Sequence, residues 1–516
     1  MKNGKLSGMG LITSLVAIKV FGYFFFTKNT EVQATGISFK GETYSITLKQ
    51  PIMKESLTDG SIVVLDENEK ATKAKLSIDS SGKILSVDGL NLGKYTLQIK
   101  KDAFAKKTKL QQEQSVTLVV VKKVKNIVST EDLKDYFRAF LAAENALSNR
   151  FNDMVTNDMA TEESAKSDTS APSSGGPSHS TTNNQVEGID EGDITVTDGR
   201  YIYTIIDNKV AIVDTKDLKV VKRITVGKDI YPNHLMIHDK TLIVGYSSYV
   251  QTQKEPYDGK SVSTVAFYDV SDAKNAALVR EVGHDGGILN IRKSGNFLYV
   301  VSSLTPNYWL LQETPNVELR PSTYDGKKET IMPIDKIRLL PESNEPNYLI
   351  VSAIDVSNVK SNEWKTESFL GSSGQMYMSE NAIYIASMNH YGFWPEIETA
   401  DTAVSNIMPA PQNNETTIYK ISVDKTVLKM AAQGKVTGSI LNQFSMDEHD
   451  GHFRIATTEG NAWGATANSK NHLFILDGNM KQVGAVNDLA KGERIYSARF
   501  MGDKAYLVTF RETDPL

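Results

Sequence analysis

The chain has 516 residues, of which 40% are hydrophobic and 23% are charged, and its formal net charge is −5. These values are ordinary for a folded protein, and the length predicts more than one domain. The acidic balance lacks the electrostatic signature of a nucleic-acid-binding protein. Because the sequence contains no cysteine, disulfides, thiolate nucleophiles and cysteine-ligated zinc are excluded.

The first residues combine a basic start with an apolar run. "MKNGK" precedes "LSGMGLITSLVAIKVFGYFFF" at residues 6–26, which is interrupted by Lys19. Val32 and Ala34 occupy the −3 and −1 positions of a signal-peptidase site, while the apolar run approaches the ~20 residues that span a bilayer. Residues 1–34 are therefore predicted to be either a signal peptide or an N-terminal membrane anchor. Both alternatives place the remainder of the chain outside the cell.

Residues 37–122 contain short segments rich in β-branched residues and separated by turn-forming residues. "YSITLK", "SIVVLD", "KYTLQIK" and "SVTLVVV" are examples, and their even spacing predicts a small β-sandwich. The stretch "LNLGKYTLQIKKDAF" resembles a hairpin of the S-layer-type bacterial Ig-like domains. The resemblance implies an Ig-like module that acts as a spacer or stalk.

Residues 128–160 change to a helical period. The apolar residues that fall on one helical face are Leu133, Tyr136, Phe137, Phe140, Leu141, Leu147, Phe151 and Met154. Ser129, followed by Asp132 three residues later, is typical of a helix start. The pattern predicts an amphipathic helix that either packs on a neighbouring domain or binds a partner.

Residues 161–185 contain almost no apolar side chains and are rich in Ser, Thr, Gly and Pro. Such a segment cannot bury enough apolar surface to offset the entropy lost on ordering. We therefore predict a disordered linker between two folding units.

From residue 186 onwards a polar turn followed by an apolar strand recurs. The occurrences are "TDGRYIYTI" at 197, "HDKTLIVGY" at 238, "SGNFLYVVS" at 294, "SENAIYIAS" at 379, "HDGHFRIAT" at 449 and "GDKAYLVTF" at 502. A second strand follows five of them and ends at Asp214, Asp269, Asp355, Ser422 and Asp477. A third strand closes several units, such as "LKVVKRITV" at 218–226 and "ALVREVG" at 277–283. Such units bury both sheet faces only when they stack, which predicts a β-propeller over residues 186–516.

The predicted fold class is mostly β, with an Ig-like β-sandwich, a short helical segment and then the propeller. The sixth unit breaks off at "VTFRETDPL", so the propeller is predicted to be truncated within that unit.

Three long segments of this region resemble the secreted bacterial β-propeller family that is distantly related to WD40 repeats. They are "TTNNQVEGIDEGDITVTDGRYIY", "FSMDEHDGHFRIATTEG" and "GERIYSARFMGDKAYLVTF". The resemblance covers about residues 183–516; it implies the fold and no particular biochemical activity.

Two stretches of the repeat region are dense in groups that could bind a metal. Acidic residues precede the first repeat, but they lack the D-x-[DN]-x-[DN]-G pattern of an EF-hand. A solvated entry segment that also closes the propeller's first seam is therefore favoured over a calcium site. "MDEHDGHF" at 446–453 combines carboxylates with two histidines that flank a predicted turn. We predict no metal and no cofactor, and the weak metal candidates are Asp190, Asp193, His449 and His452.

Two insertions carry aromatic residues outside the predicted strands. They are "LTPNYWLLQETPN" at 304–316 and "NHYGFWPEIE" at 389–398. Exposed rings offer a large contact area at a low cost in entropy. The candidate ligand-binding residues are therefore Tyr308, Trp309, Tyr391, Phe393 and Trp394. The other interpretation is that these rings form local cores.

The sequence favours a non-enzymatic binding module, extracellular or at the cell surface, carried on the Ig-like stalk. It lacks a nucleophile elbow, a Walker loop and a dinucleotide-binding loop, and we predict no catalytic residue. The alternative is a propeller enzyme, either a hydrolase or an oxidoreductase, with its site in the central channel. A cell-wall polymer or a surface protein is the expected partner. We expect no nucleic acid, no obligate oligomer, and membrane contact only through residues 1–34.

Overall fold

The computed structural model describes residues 32–48, 50–104, 113–148, 184–227, 230–251, 259–341, 345–372, 374–388, 396–398, 415–460 and 468–511. These residues are mostly β-structure with one α-helix, and they divide into two compact units. The first unit holds residues 32–122, 145–148 and 396–398, and the second holds the other described residues.

The first unit consists of two sheets that share one hydrophobic core. Its strands are β1 (Val32–Phe39), β2 (Tyr44–Thr47), β3 (Ile62–Asp66), β4 (Lys75–Ile78), β5 (Ile84–Asp88), β6 (Gly93–Ile99) and β7 (Gln114–Val121). One sheet has the order β1-β7-β6-β3, extended beyond β1 by Glu396–Glu398, and the other has the order β2-β5-β4. Side chains of both sheets meet in the core, among them Leu85, Leu97 and Leu118. The Ig-like identity of this unit stays a prediction.

Most of the predicted signal peptide or anchor lies outside the described residues, which begin at Val32. Val32–Phe39 form β1, whose first three residues pair in parallel with Gln114, Ser115 and Val116 of β7. Cleavage after Ala34 would remove those three residues and leave the rest of β1 paired. No helix in the described ranges is long and apolar enough to cross a membrane.

The predicted amphipathic helix is present as α1 (Thr130–Ser148), and residues 149–183 lie outside the description. Its start follows the predicted capping pattern, because the backbone N–H of Asp132 donates to Ser129 Oγ at 3.1 Å and Ser129 Oγ donates to the Asp132 carboxylate at 2.7 Å. Phe137 and Leu133 on the predicted apolar face are buried. Nearly all of the predicted linker, residues 161–185, falls in the undescribed range.

The described part of the second unit contains six antiparallel sheets, which we call blades 1 to 6. Blade 1 consists of β9 (Thr195–Thr197), β10 (Tyr201–Ile206), β11 (Lys209–Asp214) and β12 (Lys219–Ile224), and blade 2 of β13 (Tyr231–His238), β14 (Thr241–Gln251), β15 (Gly259–Asp269) and β16 (Ala277–Asp285). Blade 3 consists of β17 (Gly287–Ser294), β18 (Phe297–Leu304), β22 (Tyr348–Asp355) and β23 (Lys365–Leu370), and blade 4 of β24 (Gln375–Met378), β25 (Ala382–Met388), β27 (Glu415–Asp424) and β28 (Val427–Thr437). Blade 5 consists of β29 (Met446–His449), β30 (His452–Glu459), β31 (Lys470–Leu476) and β32 (Gln482–Leu489), and blade 6 of β33 (Arg494–Met501) and β34 (Lys504–Phe510).

The described residues also form short strands outside the main strands of the blades and several turns of 3-10 helix. The additional strands are β8 (Ile189–Glu191), β19 (Ser322–Asp325), β20 (Lys328–Ile331), β21 (Ile337–Leu339) and β26 (Glu396–Glu398). Turns of 3-10 helix span Lys54–Leu57, Lys101–Ala103, Ala273–Asn275, Tyr308–Gln312, Ile334–Lys336, Val356–Asn358 and Gln443–Ser445.

Each of blades 1 to 5 has one strand more than the repeat predicted. The additional strand precedes the polar turn and lies innermost, where β13 contacts β9 and β17 contacts β24. It escapes the sequence pattern because it is short in several blades; β9 has three residues, and β24 and β29 have four each. The described residues of blade 6 form two strands, and its predicted truncation stays a prediction.

Among the described residues of the second unit, five hydrophobic cores are each shared by two consecutive blades. In β14 of blade 2, Leu242 and Val244 pack against blade 1, while Ile243 packs against blade 3. Successive side chains of a strand point to opposite faces, so a blade with two neighbours buries both of its faces. Strands such as β22, "YLIVSAID", are therefore apolar almost throughout.

The aspartate that ends the third strand of most blades organises the following turn. In Asp214, Asp269, Asp355 and Asp477, a side-chain oxygen accepts a 2.9 Å hydrogen bond from the backbone N–H two residues later. This Asx turn directs the chain from the third strand to the fourth. Blade 4 has Ser422 at this position and reverses direction instead through a tight hairpin, in which Lys425 has a φ of 55°.

Replacing Asp477 by alanine should destabilise the turn of blade 5. The substitution removes the oxygen that accepts from the N–H groups of Asn479 and Lys481, so we expect a loss of about 1 kcal/mol in the free energy of unfolding. Urea-induced unfolding measures this loss. Asp477→Asn is the control, because its amide oxygen can accept the same bonds. Equal losses in the two variants would contradict the role given to the Asx turn.

Candidate functional site

The acidic residues that precede the first repeat lie along the innermost edges of blades 2 and 3. β8 pairs antiparallel with β17, with Glu191 opposite Arg292 and Asp190 opposite Lys293. Asp193 then exchanges two backbone hydrogen bonds with Leu235 of β13, at 3.1 and 2.6 Å, before the chain enters blade 1. We call residues 184–193 the lead-in segment. Ile189–Glu191 of this segment form an inner strand of the propeller and Ile189 is buried, so the prediction of a solvated entry segment is wrong for this part of it. The closure of the first seam stays a prediction.

Two carboxylates of the lead-in segment, those of Asp190 and Glu191, are paired with cations of blade 3. Arg292, which is 6% exposed, lies 3.4 Å from the Glu191 carboxylate and donates to Gln443 Oε1 at 3.1 Å. Burial lowers the pKa of the Arg292 guanidinium, and the Glu191 carboxylate partly opposes this shift. Lys293 Nζ lies 2.5 Å from Asp190. The carboxylates thus neutralise protein cations.

The lead-in segment also reaches blade 5. Gln185 Nε2 donates to the backbone carbonyls of Gln443 and Met446, both at 3.1 Å. The Gln185 backbone N–H donates to Glu191 Oε1 at 3.2 Å. One short stretch of chain therefore joins the inner edges of three blades.

Arg292→Met should destabilise the propeller, because it leaves Glu191 beside an apolar side chain without its cation. We expect a loss of about 2–3 kcal/mol in the free energy of unfolding, measured with urea. The matched control is Arg223→Met on the exposed side of β12, which should change stability by no more than about 0.5 kcal/mol. Similar losses in both variants would show that the ion pair with Glu191 makes no specific contribution to the free energy of unfolding.

The weak metal candidates have other partners, or lie at an exposed turn. Asp190 pairs with Lys293, and the Asp193 carboxylate accepts from the backbone N–H of Ile194 at 2.6 Å. His452 is exposed, with Nδ1 2.9 Å from the Asp450 carbonyl. In the described ranges, no group of three or more His, Asp and Glu side chains is arranged to hold a metal.

Glu448 of "MDEHDGHF" holds blade 5 against blade 4. Glu448 accepts hydrogen bonds from Ser379 Oγ at 2.5 Å and from the Tyr384 hydroxyl at 2.8 Å. Its backbone N–H donates to the Tyr377 hydroxyl at 2.9 Å. These contacts account for Glu448 as a link between blades, and sequence reasoning alone does not reveal them.

The aromatic candidates at the first insertion have opposite environments. Tyr308 is 3% exposed and stacks on Phe137 of α1, with 5.5 Å between ring centroids and 15° between ring planes. Trp309 is 43% exposed. The local-core interpretation therefore describes Tyr308, whereas Trp309 is accessible. The other candidates, Tyr391, Phe393 and Trp394, lie outside the described residues. Ligand binding by any of these rings stays a prediction.

The insertion at 304–316 is the first part of the longer connection from β18 to β22, and this connection is held to two blades further along the chain. β19 pairs with β16 of blade 2, and β21 pairs with β23 of blade 3. Buried Asp285 accepts from the Ser322 backbone N–H at 2.7 Å, from the Tyr324 hydroxyl at 2.7 Å and from Lys260 Nζ at 3.1 Å. Burial raises the pKa of the Asp285 carboxyl, and Lys260 opposes the rise. This connection therefore rests on a defined support.

Because successive strands of a blade run antiparallel, the connections between strands lie alternately at the two ends of the strands. These two ends form two faces of the propeller. The polar turns of the repeat and the Asx turns connect strands at one end, which we call the turn face. The connections between second and third strands, and those between blades, lie at the other end, which we call the loop face. The insertion with Trp309 connects β18 to β22 and so belongs to the loop face. There the Tyr136 hydroxyl of α1 donates to the Glu345 carbonyl at 2.7 Å.

A histidine that the sequence analysis did not single out is buried between blades 2 and 3. The ring of His284 has no exposed surface, and its Nδ1 and Nε2 lie 2.6 Å from Ser352 Oγ and 2.8 Å from Ser302 Oγ. Trp364 stacks on it with 6.0 Å between ring centroids. Burial lowers the pKa of His284 to about 3. An enclosed, neutral imidazole between two hydroxyls links the blades and has no access to a substrate.

Acid should weaken the propeller through His284. In the unfolded chain its pKa is near 6.5 and in the folded protein it is about 3, so the unfolded state binds the proton more readily. Stability is complete above pH 6.5 and is lost as the pH falls from 6.5 towards 3. We expect this residue to account for a loss of about 2–3 kcal/mol at pH 4.5 relative to pH 7.

Urea unfolding of the wild type and of His284→Gln at both pH values tests this expectation. The variant lacks the titrating ring, so the difference in stability between pH 7 and pH 4.5 should be smaller in the variant. A pH dependence that is unchanged by the substitution would assign acid sensitivity to other groups.

Comparison with known proteins gives one family and a few distant similarities. The model of a family described as Beta propeller domain matches residues 179–516. An uncharacterized protein of Methanocaldococcus jannaschii is 29% identical over 390 residues, which cover 65% of this chain and 59% of the relative. An uncharacterized protein of Archaeoglobus fulgidus is 27% identical over 414 residues, which cover 65% of this chain and 60% of the relative. The chain thus spans less than two thirds of the length of these relatives.

Two solved structures are similar at a low level. An apocarotenoid oxygenase of Synechocystis has a TM-score of 0.25 and 8% identity, with 92% of this chain and 88% of that chain covered. A dihydro-heme d1 dehydrogenase has a TM-score of 0.17 and 11% identity, with 64% of this chain and 70% of that chain covered. Similarities this low carry no argument about activity.

Proposed function

We propose that this protein, which belongs to the Beta propeller domain family, is a non-enzymatic binding module whose loop face contacts the ligand. The observation that carries the proposal is the position of Trp309. Its ring is exposed on the first part of the connection from β18 to β22, which strands of two blades and the hydrogen bonds to Asp285 hold further along the chain. An exposed indole is the kind of group that dominates the free energy of binding at interfaces.

The pairing of charges between the lead-in segment and the innermost strand of blade 3 supports a binding role over the enzyme alternative. A hydrolase or an oxidoreductase with its site in the central channel would need ionisable groups that are available to a substrate. The lead-in segment instead engages Arg292 with Glu191 and Lys293 with Asp190. Both cations are buried.

We also propose the domain roles, the cellular location and the partner that the sequence predicts. Residues 37–122 would act as an Ig-like stalk, residues 1–34 as a signal peptide or membrane anchor, and the propeller as a distant relative of WD40 repeats. The protein would then face the exterior of the cell. The partner that we propose is a cell-wall polymer or a surface protein.

Trp309→Ala should weaken binding without affecting folding. We expect co-sedimentation with insoluble cell-wall polysaccharide to fall about tenfold in affinity, as for the loss of an interface anchor. The free energy of unfolding should change by less than about 1 kcal/mol, because the ring is already partly in water. Tyr308→Ala, in contrast, should lose about 3 kcal/mol of stability by leaving a cavity beneath α1.

Tyr506→Ala is the control for non-specific loss of an exposed ring. Tyr506 is 54% exposed on β34 of blade 6, away from the insertion in the sequence, and its removal should leave polysaccharide binding unchanged. Equal weakening by Trp309→Ala and Tyr506→Ala would contradict the proposed surface. Breakdown of the polysaccharide by the wild-type protein would favour the hydrolase alternative instead.

A further inference from the structure

Trp309 belongs to a series of aromatic rings that begins in α1. Phe137 of α1 stacks on Tyr308, with 5.5 Å between ring centroids and 15° between ring planes. The Trp309 ring meets the Tyr308 ring edge to face, with 6.0 Å between ring centroids and 65° between ring planes. Aromatic pairs at such separations attract each other beyond the effect of the area that they bury. The exposed indole is therefore in contact with a ring that α1 holds.

The same ring of α1 also contacts blade 3. Phe137 has no exposed surface, and Tyr348 of β22 lies beside it with 5.8 Å between ring centroids. The Tyr348 hydroxyl donates to the Leu319 carbonyl at 2.9 Å, within the connection from β18 to β22. Phe137 thus contacts both the insertion at 304–316 and a buried strand of blade 3.

α1 contacts the connection from β18 to β22 at two more points. The hydroxyl of Tyr136, a buried residue, donates to the Glu345 carbonyl at 2.7 Å. Lys134 Nζ lies 3.5 Å from Asn316 Oδ1, at the end of the insertion. Together with the stacking on Tyr308, these contacts reach the connection near both of its ends.

The segment that carries Trp309 has little regular structure of its own. Tyr308–Gln312 form one turn of 3-10 helix, in which the backbone N–H groups of Leu310 and Glu313 donate to carbonyls three residues earlier. A turn this short is marginal in water without tertiary contacts. The strands that hold the connection to blades 2 and 3, β19 and β21, lie further along the chain. The orientation of the Trp309 ring therefore depends on the packing of Tyr308.

We propose that α1 positions Trp309 for ligand binding, with Phe137 as the positioning residue, so that docking of α1 and binding at the loop face are coupled. The inference rests on the proposed function, since it names the element that regulates the same site. A ring that is held in its bound orientation before the ligand arrives loses less entropy on binding. By linkage, a ligand that prefers the docked state of α1 stabilises that state by the same factor.

Phe137→Leu tests the coupling, because it keeps an apolar side chain in the core and removes the stacked ring. In co-sedimentation with insoluble cell-wall polysaccharide, its dissociation constant should be at least about fivefold higher than that of the wild type. A double-mutant cycle with Trp309→Ala gives a second readout. Because Phe137 acts through Trp309, the double variant should bind no more weakly than Trp309→Ala alone. Additive losses would overturn the proposal.

Phe474→Leu is the matched control for a general loss of stability. Phe474 is buried in the core of blades 4 and 5, and its ring stacks on His472 with 5.5 Å between ring centroids. This substitution also removes a buried, stacked ring, so it should lower stability to a similar degree and leave polysaccharide binding unchanged. Equal weakening by Phe137→Leu and Phe474→Leu would assign the effect of Phe137 to stability alone and overturn the proposal.

Hydrogen–deuterium exchange of the full chain tests the positioning without a ligand. Residues 304–316 should exchange faster in Phe137→Leu than in the wild type. Tyr136→Phe is a milder variant that removes only the hydroxyl bonded to the Glu345 carbonyl, and it should change exchange at 304–316 in the same direction. Peptides from blade 5 should exchange as in the wild type. Unchanged exchange at 304–316 in both variants would contradict the role given to α1.

Exchange and binding together separate the failure of this proposal from the failure of the proposed function. Polysaccharide added to the wild type should slow exchange of residues 130–141 in α1, as reciprocal coupling requires. Binding that leaves this exchange unchanged, or binding that Phe137→Leu does not weaken, would overturn the proposal and leave the proposed function in place. Faster exchange at 304–316 in Phe137→Leu, with no binding by the wild type, would overturn the proposed function and retain α1 as the support of the insertion.

Discussion

The alternation of side chains along each strand is the constraint on which the second unit depends. Tyr384 on β25 stacks on Phe453 of blade 5, with 4.3 Å between ring centroids, while the next residue, Ile385, packs in the core shared with blade 3. A blade with two neighbours therefore contributes to two cores at once and forms neither alone. Polar links such as Glu448 and His284 lie at these same interfaces, and their geometry is set by the packing around them. The Asx turns and hairpins then fix where each strand begins.

Local patterns account for what the sequence reveals about the fold. Three of these patterns involve only residues that are close together in the chain. They are the Asx turn, the polar hairpin turn and the run of β-branched residues in a strand. The repeat, the propeller and the start of α1 were therefore predictable. The innermost strands were not predicted. Strands β9, β24 and β29 are too short to display a period of two, and the repeat also missed β13, β17 and β33, which have eight residues each. Their partners include residues distant in sequence, as in the pairing of Asp193 with Leu235.

In the candidate site, local sequence patterns also fail to predict the environment of single residues. Tyr308 and Trp309 are adjacent and chemically alike, yet one is buried and the other exposed. Phe137 of α1, far away in the sequence, stacks on the ring of Tyr308. Similarly, Glu191 is part of an apparent cation-binding cluster until Arg292 is placed opposite it. Burial and charge pairing of this kind come from tertiary contacts that composition and spacing do not encode.

The position of the lead-in segment has a consequence for the order of folding. During synthesis this segment leaves the ribosome before any blade, yet its hydrogen bond from Gln185 to the Met446 carbonyl spans 261 residues. The cost in chain entropy of closing so large a loop falls on the last steps of folding. Blades 2 and 3 can associate through contacts that are close in sequence, whereas the axis can be closed only after blade 5 exists. The first stretch of the propeller to be made is thus the last to reach all its native partners.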